Sequence, residues 1–380
     1  MNADTLRDII IESKTRSETG FNSIMLPDEF PSLMNTYPGW VKGEYYCITA
    51  STNVGKTKFT KFITVYGIYK FCKDNNIPFH LRWYALEEDE EEFWLSITCM
   101  LMYKVCDINI SIKTLKSLGT NRLSKEQLEA YDRIKPILDD MMKSIIVIDY
   151  IYHPTGIYYD FLQYADIKGK FAKLDNDGDI KALPKMFNNG EKTSQSYDYY
   201  YPENEDEYVF IIIDHISLLK PENKQNLREA IEMMSREYLL KKAQKVLKYI
   251  PIVVHQQALD SAKEQYTYKG ETVIQKVMPS LAELGENRTV SRDYRVVMGL
   301  FMPHKHQISE FLGYDITKLK EQCVFLFFLK DRLYGNATSF VPLLFNGANN
   351  TYKEMPTYDS DAMQIIYDGI DEARQIIENS

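Results

Sequence analysis

Between an apolar run, Tyr45–Thr49, and a stretch of helical periodicity lies the octet Ala50-Ser51-Thr52-Asn53-Val54-Gly55-Lys56-Thr57. A strand that ends in a tight turn and opens a helix aims backbone N–H groups and the positive helix N-terminus at one spot, which suits phosphate. Lys56 adds a charge at the β- and γ-phosphates, and the Thr57 hydroxyl can join the shell of a Mg2+ ion beside them. The first position of the usual glycine-rich pattern is Ala50, still small enough for the turn. The octet predicts a P-loop, with ATP and Mg2+ as cofactors.

The rest of the chain keeps a strand–helix rhythm, the pattern of an α/β fold with a mostly parallel sheet covered on both faces. Expected strands are Tyr45–Thr49, His80–Leu86, Ile145–Ile148, Val209–Ile213, Ile252–Val254, Val296–Phe301, Val324–Leu329 and Phe340–Phe345. Several are nearly continuous apolar runs, as strands buried on both faces must be. Expected helices lie at 56–72, 90–106, 125–142 and 226–248, the first with an inward stripe of Phe59, Phe62, Ile63, Tyr66 and Tyr69. Residues 1–22 read as an amphipathic linker helix (Leu6, Ile9 and Ile10) for docking on another subunit, residues 23–355 as the motor domain, and residues 356–380 as a helical tail. Residues 167–207, rich in Asp, Asn, Gly and Lys, read as a partly flexible surface insertion. Its Asp175, Asp177 and Asp179 imitate a calcium loop, but Ile180 stands at the glycine position and Met186 at the closing glutamate, so a solvated turn is expected.

Composition narrows the class. With 45 basic and 54 acidic residues the net charge is −9, which excludes coating nucleic acid through bulk charge but not a local basic loop. The sequence has no apolar run of membrane-spanning length, and the N-terminus lacks a signal-peptide pattern, so a membrane partner is not expected. Five scattered cysteines form neither a disulfide framework nor a CxxC pair, which points to a reducing, cytoplasmic setting.

A P-loop needs a carboxylate for the metal shell, expected at the end of a neighbouring strand. Asp149 and Asp214 compete. Asp214 is favoured because its strand continues into Ile216, Leu218 and Leu219 and so runs deeper into the core. Glu87 ends another strand, at the edge where doubly wound sheets bind ligands, and could activate the attacking water. It also begins the run Glu87 to Glu92, which a solvated first helical turn explains equally well for Glu88 to Glu92.

The order of these motifs resembles the RecA-like motor domain of DnaB-type hexameric replicative helicases. The likeness covers roughly Gly20 to Tyr352 as spaced motifs. Ala85-Leu86-Glu87 stands where that family carries Ser-Leu-Glu with its catalytic glutamate. Ile213-Asp214-His215-Ile216-Ser217-Leu218 is similar to its Walker B, which strengthens Asp214. Val254-His255-Gln256-Gln257 matches the strand ending in a γ-phosphate sensor, here Gln256. Lys330-Asp331-Arg332, with Gly335 after it, matches the Lys-x-Arg element that reaches a neighbouring subunit's nucleotide. His215 and His255 depart from the family's residues, the insertion is longer than usual, and residues 1–22 are not expected to form the family's N-terminal collar.

The resemblance implies a hexameric ring that hydrolyses Mg-ATP at its subunit interfaces and translocates 5′-to-3′ on single-stranded DNA, with a primase or helicase loader as further partner. The Asn-, Lys- and Tyr-rich composition is compatible with a phage or an AT-rich bacterium. Phosphate-tracking residues are expected among Lys220, Lys224 and Arg228, and among Lys263, Lys269, Lys276, Arg288 and Arg292. Two other readings compete: a RecA- or KaiC-like recombination or signalling ATPase, and a non-hydrolysing, nucleotide-gated structural ring or loader adaptor. The presence of both Glu87 and Arg332 argues against the last.

Overall fold

In the computed structural model, residues 2–37, 39–188, 190–257, 267–268, 271–272, 277–284, 288–335 and 339–378 are described. Nine strands form the main sheet: β1 (Tyr46–Ala50), β2 (Phe79–Ala85), β3 (Ile145–Ile148), β4 (Tyr208–Asp214), β5 (Ile250–Gln256), β6 (Val296–Phe301), β7 (Cys323–Asp331), β8 (Phe340–Asn346) and β9 (Thr351–Glu354). Their spatial order is β9-β8-β7-β6-β1-β5-β4-β2-β3. The six strands from β6 to β3 are parallel, and β7, β8 and β9 extend the sheet antiparallel. The parallel part is mostly apolar along its whole length because helices cover both faces.

Alternate residues of each strand feed two cores. Phe210 and Ile212 of β4 face one side, with helix α2, which runs from Lys56–Thr60 through a π-helical Lys61–Tyr66 into Gly67–Asp74. Helices α3 (Glu90–Cys106) and α4 (Lys125–Ser144) complete that layer through Phe93, Ile97, Ile134 and Leu138. Val209, Ile211 and Ile213 face the other side, against α5 (Pro154–Lys168) and α6, a helical Leu227–Glu232 continuing into a π-helical Met233–Gln244. Burying one such Ile or Phe contributes about 1.5–3 kcal/mol, and truncating Ile212 or Trp83 to alanine would cost about 2–5 kcal/mol through the cavity left behind. A third cluster, joining Phe311, Phe325 and Phe327 to Met363 and Tyr367 of the C-terminal helix Asp361–Glu378, caps the antiparallel edge.

The insertion is built on a small antiparallel sheet of its own, Gly169–Leu174 flanked by Ile180–Ala182 and Tyr199–Pro202. Phe171, Met186 and Tyr197 anchor it in the α5–α6 core. Its aspartate turn closes on itself, with the Asp175 carboxylate accepting from the Asp177 and Asp179 N–H groups and pairing with Lys181. Helix α1 (Ala3–Thr19) exposes Leu6, Ile9, Ile10 and Ile11. No helix among the described residues is long and apolar enough to cross a membrane.

Candidate functional site

The turn after β1 is tight: Asn53 and Gly55 both have positive φ, 56° and 90°. Gly55 is required twice over, because a Cβ there would also lie 2.5 Å from the Tyr352 hydroxyl. That hydroxyl donates to the Gly55 carbonyl at 3.1 Å, and a Lys305 ammonium donates to the Thr52 carbonyl. The turn is therefore braced from β9 and from the segment after β6. Lys56 is nearly buried; desolvation lowers its pKa, while Asp214 and Glu87 oppose that shift. A phosphate group would replace the solvation that the ammonium has lost.

Asp214 and Glu87 reach the same edge through strand register. Ala85 lies opposite Asp214 in the parallel β2–β4 pairing, and Leu86 N–H donates to the Asp214 carbonyl at 2.8 Å. Asp214 is 3% exposed and its Oδ1 has no hydrogen-bond partner. Burial raises its carboxyl pKa to about 7, the neighbouring Glu88 charge adds to the rise, and the Thr57 hydroxyl and Lys61 oppose it. An ionised buried carboxylate with a free oxygen beside a threonine hydroxyl fits the shell of a hydrated divalent cation. Asp149, by contrast, accepts the Glu90 N–H at 3.0 Å and caps the start of α3.

Neither aspartate strand adjoins β1, contrary to the expectation of a neighbouring strand: β5 intervenes, so Asp214 lies two strands from the P-loop and Asp149 four. The intervening strand brings Gln256 level with Ala50, and its amide donates to the Thr52 hydroxyl at 2.9 Å. His255 and His215 are both buried beside Lys56, and burial lowers their pKa values, that of His215 to about 4. Both are neutral imidazoles at neutral pH, and His215 Nε2 lies 3.8 Å from a Glu87 carboxylate oxygen.

A pocket of about 320 Å3 links Thr52, Lys56 and Thr57 to Glu87, Gln256 and Phe345. The sequence reading missed Phe345. Its ring stacks on Tyr352 at 4.6 Å and 19°, and Lys58 Nζ sits 5.7 Å from its centre. Strand pairing alone carries this ring to the P-loop from nearly 300 residues away, so no local motif announces it. Glu88 also departs from expectation. It does not join the solvated helical turn; its carboxylate pairs with Lys61 of α2 at 2.7 Å in a largely buried contact, while Glu90 to Glu92 do face solvent. A lysine beside the apolar stripe of α2 was the available signal.

Lys330 and Arg332 lie elsewhere. Lys330 pairs with Val297 and Asp331 with Val296, at the amino edge of the parallel sheet, level with Tyr46. Four residues of strand, roughly 13 Å, separate that level from Ala50 before the P-loop begins. Lys330 Nζ donates to the Ser291 carbonyl at 2.6 Å, and burial, then the nearby Arg332, lowers its pKa to about 8. The Asp331 carboxylate accepts from the Leu333 and Tyr334 N–H groups, forming a turn on which Arg332 is exposed.

The structure also separates the proposed DNA contacts. Lys220, Lys224 and Arg228 are exposed beyond the carboxyl end of β4, with Lys220 Nζ 4.4 Å from the centre of the Tyr152 ring. Arg292 is exposed at the amino edge beside Lys330. Lys263, Lys269 and Lys276 lie outside the described residues, as does the side chain of Arg288.

The sheet order and the braced phosphate turn define an α/β protein with the RecA-like fold of P-loop ATPases. No protein-family model matches the sequence, and no curated protein matches it. Among solved structures, the fold is similar to an isolated ATPase domain, at 16% identity and a TM-score of 0.62, over 92% of this chain and 99% of that one. It is also similar to a DnaB-like replicative helicase whose structure was described with its interactions with primase, at 16% identity and a TM-score of 0.60, over 93% of this chain and 67% of that one.

Proposed function

We propose that this chain is the motor subunit of a ring-forming helicase of the DnaB type, hydrolysing Mg-ATP at subunit interfaces and moving along single-stranded DNA in replication. One observation carries the reading. Lys56, Thr57, Glu87, Asp214 and Gln256 gather at the carboxyl edge of the sheet, whereas Lys330 and Arg332 emerge at the amino edge. A subunit built this way holds both halves of a hydrolytic site and cannot join them within itself. Head-to-tail packing joins them, and such packing forms a ring when its rotation closes and a filament when it does not.

In that arrangement the P-loop amides and Lys56 hold the β- and γ-phosphates, and the base lies against Phe345. Thr57 and Asp214 would hold the shell of Mg2+, which would supply positive charge beside the transferred phosphoryl group. Glu87 accepts the proton of the attacking water, with the neutral His215 beside its carboxylate. Gln256 links the γ-phosphate to the P-loop through Thr52. Arg332 of the adjacent subunit supplies charge in the transition state, with Lys330 beside it.

DNA is assigned to Lys220, Lys224 and Arg228 at the carboxyl edge, where a ring focuses a few cations on one axis despite the acidic net charge. Lys263, Lys269, Lys276, Arg288 and Arg292 complete the proposed set. Primase or a loader is a proposed partner by likeness to the primase-interacting helicase. The test is the ATPase rate with and without single-stranded DNA, alongside native mass with a nonhydrolysable ATP analogue. DNA stimulation and a hexamer support the reading; hydrolysis by a monomer, indifferent to DNA, overturns it.

A further inference from the structure

Beside the phosphate pocket, and sharing Thr57 and Glu87 with it, lies a second cavity of about 350 Å3. Asp214, Glu88, Ser96 and Asn350 line it. One oxygen on each of three of these lining residues, Asp214 Oδ1, Glu88 Oε1 and Asn350 Oδ1, is buried and accepts no hydrogen bond. Asp214 and Asn350 are 3% and 2% exposed. Each side chain is fixed from its other end or by its surroundings. Lys61 Nζ donates to Glu88 Oε2 at 2.7 Å while lying 4.8 Å from the centre of the Phe93 ring, and the Asn350 amide donates to Ser96 Oγ at 2.9 Å.

A buried acceptor without a donor costs about 1–3 kcal/mol, more when charged, so three on residues that share one cavity wall favour an occupant made of donors. The waters on a divalent cation are such donors: Mg2+ dehydrates reluctantly and keeps several of them, each presenting only hydrogens outward. Thr57 and Asp214, which would hold the cation, both line this cavity. We infer that Glu88 is a second outer-shell carboxylate for the nucleotide-bound divalent cation, oriented by Lys61 and assisted by the Asn350 carbonyl. Carboxylates of this kind fix the waters of the inner shell, and losing one typically weakens metal binding 10–100-fold. Lys61 thereby couples the π-helical turn of the P-loop helix to the residue that follows Glu87. The inference rests on the proposed Mg-nucleotide site.

The test uses the full chain with Mn2+ and a nonhydrolysable ATP analogue, reading free Mn2+ by electron paramagnetic resonance. Glu88→Gln should weaken Mn2+ binding to the analogue complex about tenfold while leaving metal-free analogue binding unchanged. Because Glu88→Gln leaves Lys61 buried without its partner, the double variant Lys61→Met/Glu88→Met, which removes both charges, should fold and show the same loss. Glu92→Gln removes an equal charge from the same cavity, but from a solvent-facing residue, and should bind Mn2+ as wild type does. Equal losses in Glu88→Gln and Glu92→Gln would reduce the effect to net charge and overturn the inference. Should Asp214→Asn lose the metal while both Glu88 variants keep it, the inference falls and the nucleotide site stands. Failure of the wild type to bind Mn2+ with the analogue would overturn both.

Discussion

Leu86 donates its backbone N–H to the carbonyl of Asp214 at 2.8 Å, one residue beyond the last paired position of β2 and β4. That bond carries the strand pairing to the very edge of the sheet. Glu87 and Asp214, separated by the whole of α3, α4, α5 and the insertion, are thereby delivered together beside Lys56.

The first prediction separates binding from chemistry. Lys56→Ala should abolish nucleotide binding, since the turn loses the ammonium that meets the phosphates. Glu87→Gln should bind a fluorescent ATP analogue as wild type does and hydrolyse ATP at least about a hundredfold more slowly, as expected for loss of a general base. Wild-type turnover by Glu87→Gln would remove it from the role of base.

Arg332→Ala should bind ATP yet lose about 10³–10⁵ in hydrolysis rate. Mixed with inactive Lys56→Ala, it should regain activity, because an Arg332→Ala subunit keeps an intact P-loop that a Lys56→Ala neighbour can complete. Random mixing places such sites at roughly a quarter of the interfaces of a head-to-tail ring. If subunits exchange and no activity returns, wild type is titrated with Arg332→Ala: a linear fall in rate assigns Arg332 to its own subunit, a steep one to a coupled ring.

Phe345→Ala should weaken nucleotide binding by about 1–3 kcal/mol, the worth of one stacked base, with Phe345→Trp close to wild type. The readout is the dissociation constant of the fluorescent analogue, with melting temperature recorded because Phe345 also packs on Tyr352. Equal affinities for the Ala and Trp variants would place the base elsewhere.

Asp214 makes the empty protein pH-sensitive. An unfolded aspartate ionises near pH 3.9, but burial holds the folded Asp214 protonated up to about pH 7. A folded-state acid pKa above the unfolded one removes stability as pH rises between those values, with the full loss present above the folded pKa. Asp214→Asn escapes that loss. Without nucleotide or cation, its melting temperature should exceed that of wild type by a margin that grows from pH 4 to pH 8. A margin independent of pH would mean that Asp214 is already ionised in the empty site.

Helix α1 exposes Leu6, Ile9, Ile10 and Ile11 at 44–60% of their surfaces. Deleting residues 1–18 should therefore leave the melting temperature of the motor nearly unchanged and weaken the oligomer seen in sedimentation. An unchanged oligomer would place the helix outside the subunit interface.

The elements that the sequence determined by itself are those written in local periodicity. β1, β3, β4 and β6 fall within a residue or two of their expected bounds because a strand buried on both faces must be apolar throughout. The P-loop was legible because a tight turn, a lysine and a hydroxyl must be contiguous to cradle phosphate. Tertiary structure decided the rest. It placed β5 between the P-loop and Asp214, turned Asp149 into a helix cap, and took Glu88 out of an acidic run to pair with Lys61. It also brought Phe345 and Tyr352 against Gly55, and set Lys330 and Arg332 at the far edge from Lys56. The physical reason is common to all of these. Strand order and the partner of a buried charge depend on which distant surfaces exclude water together, and that free energy belongs to pairs of residues far apart in the chain, not to any stretch of it.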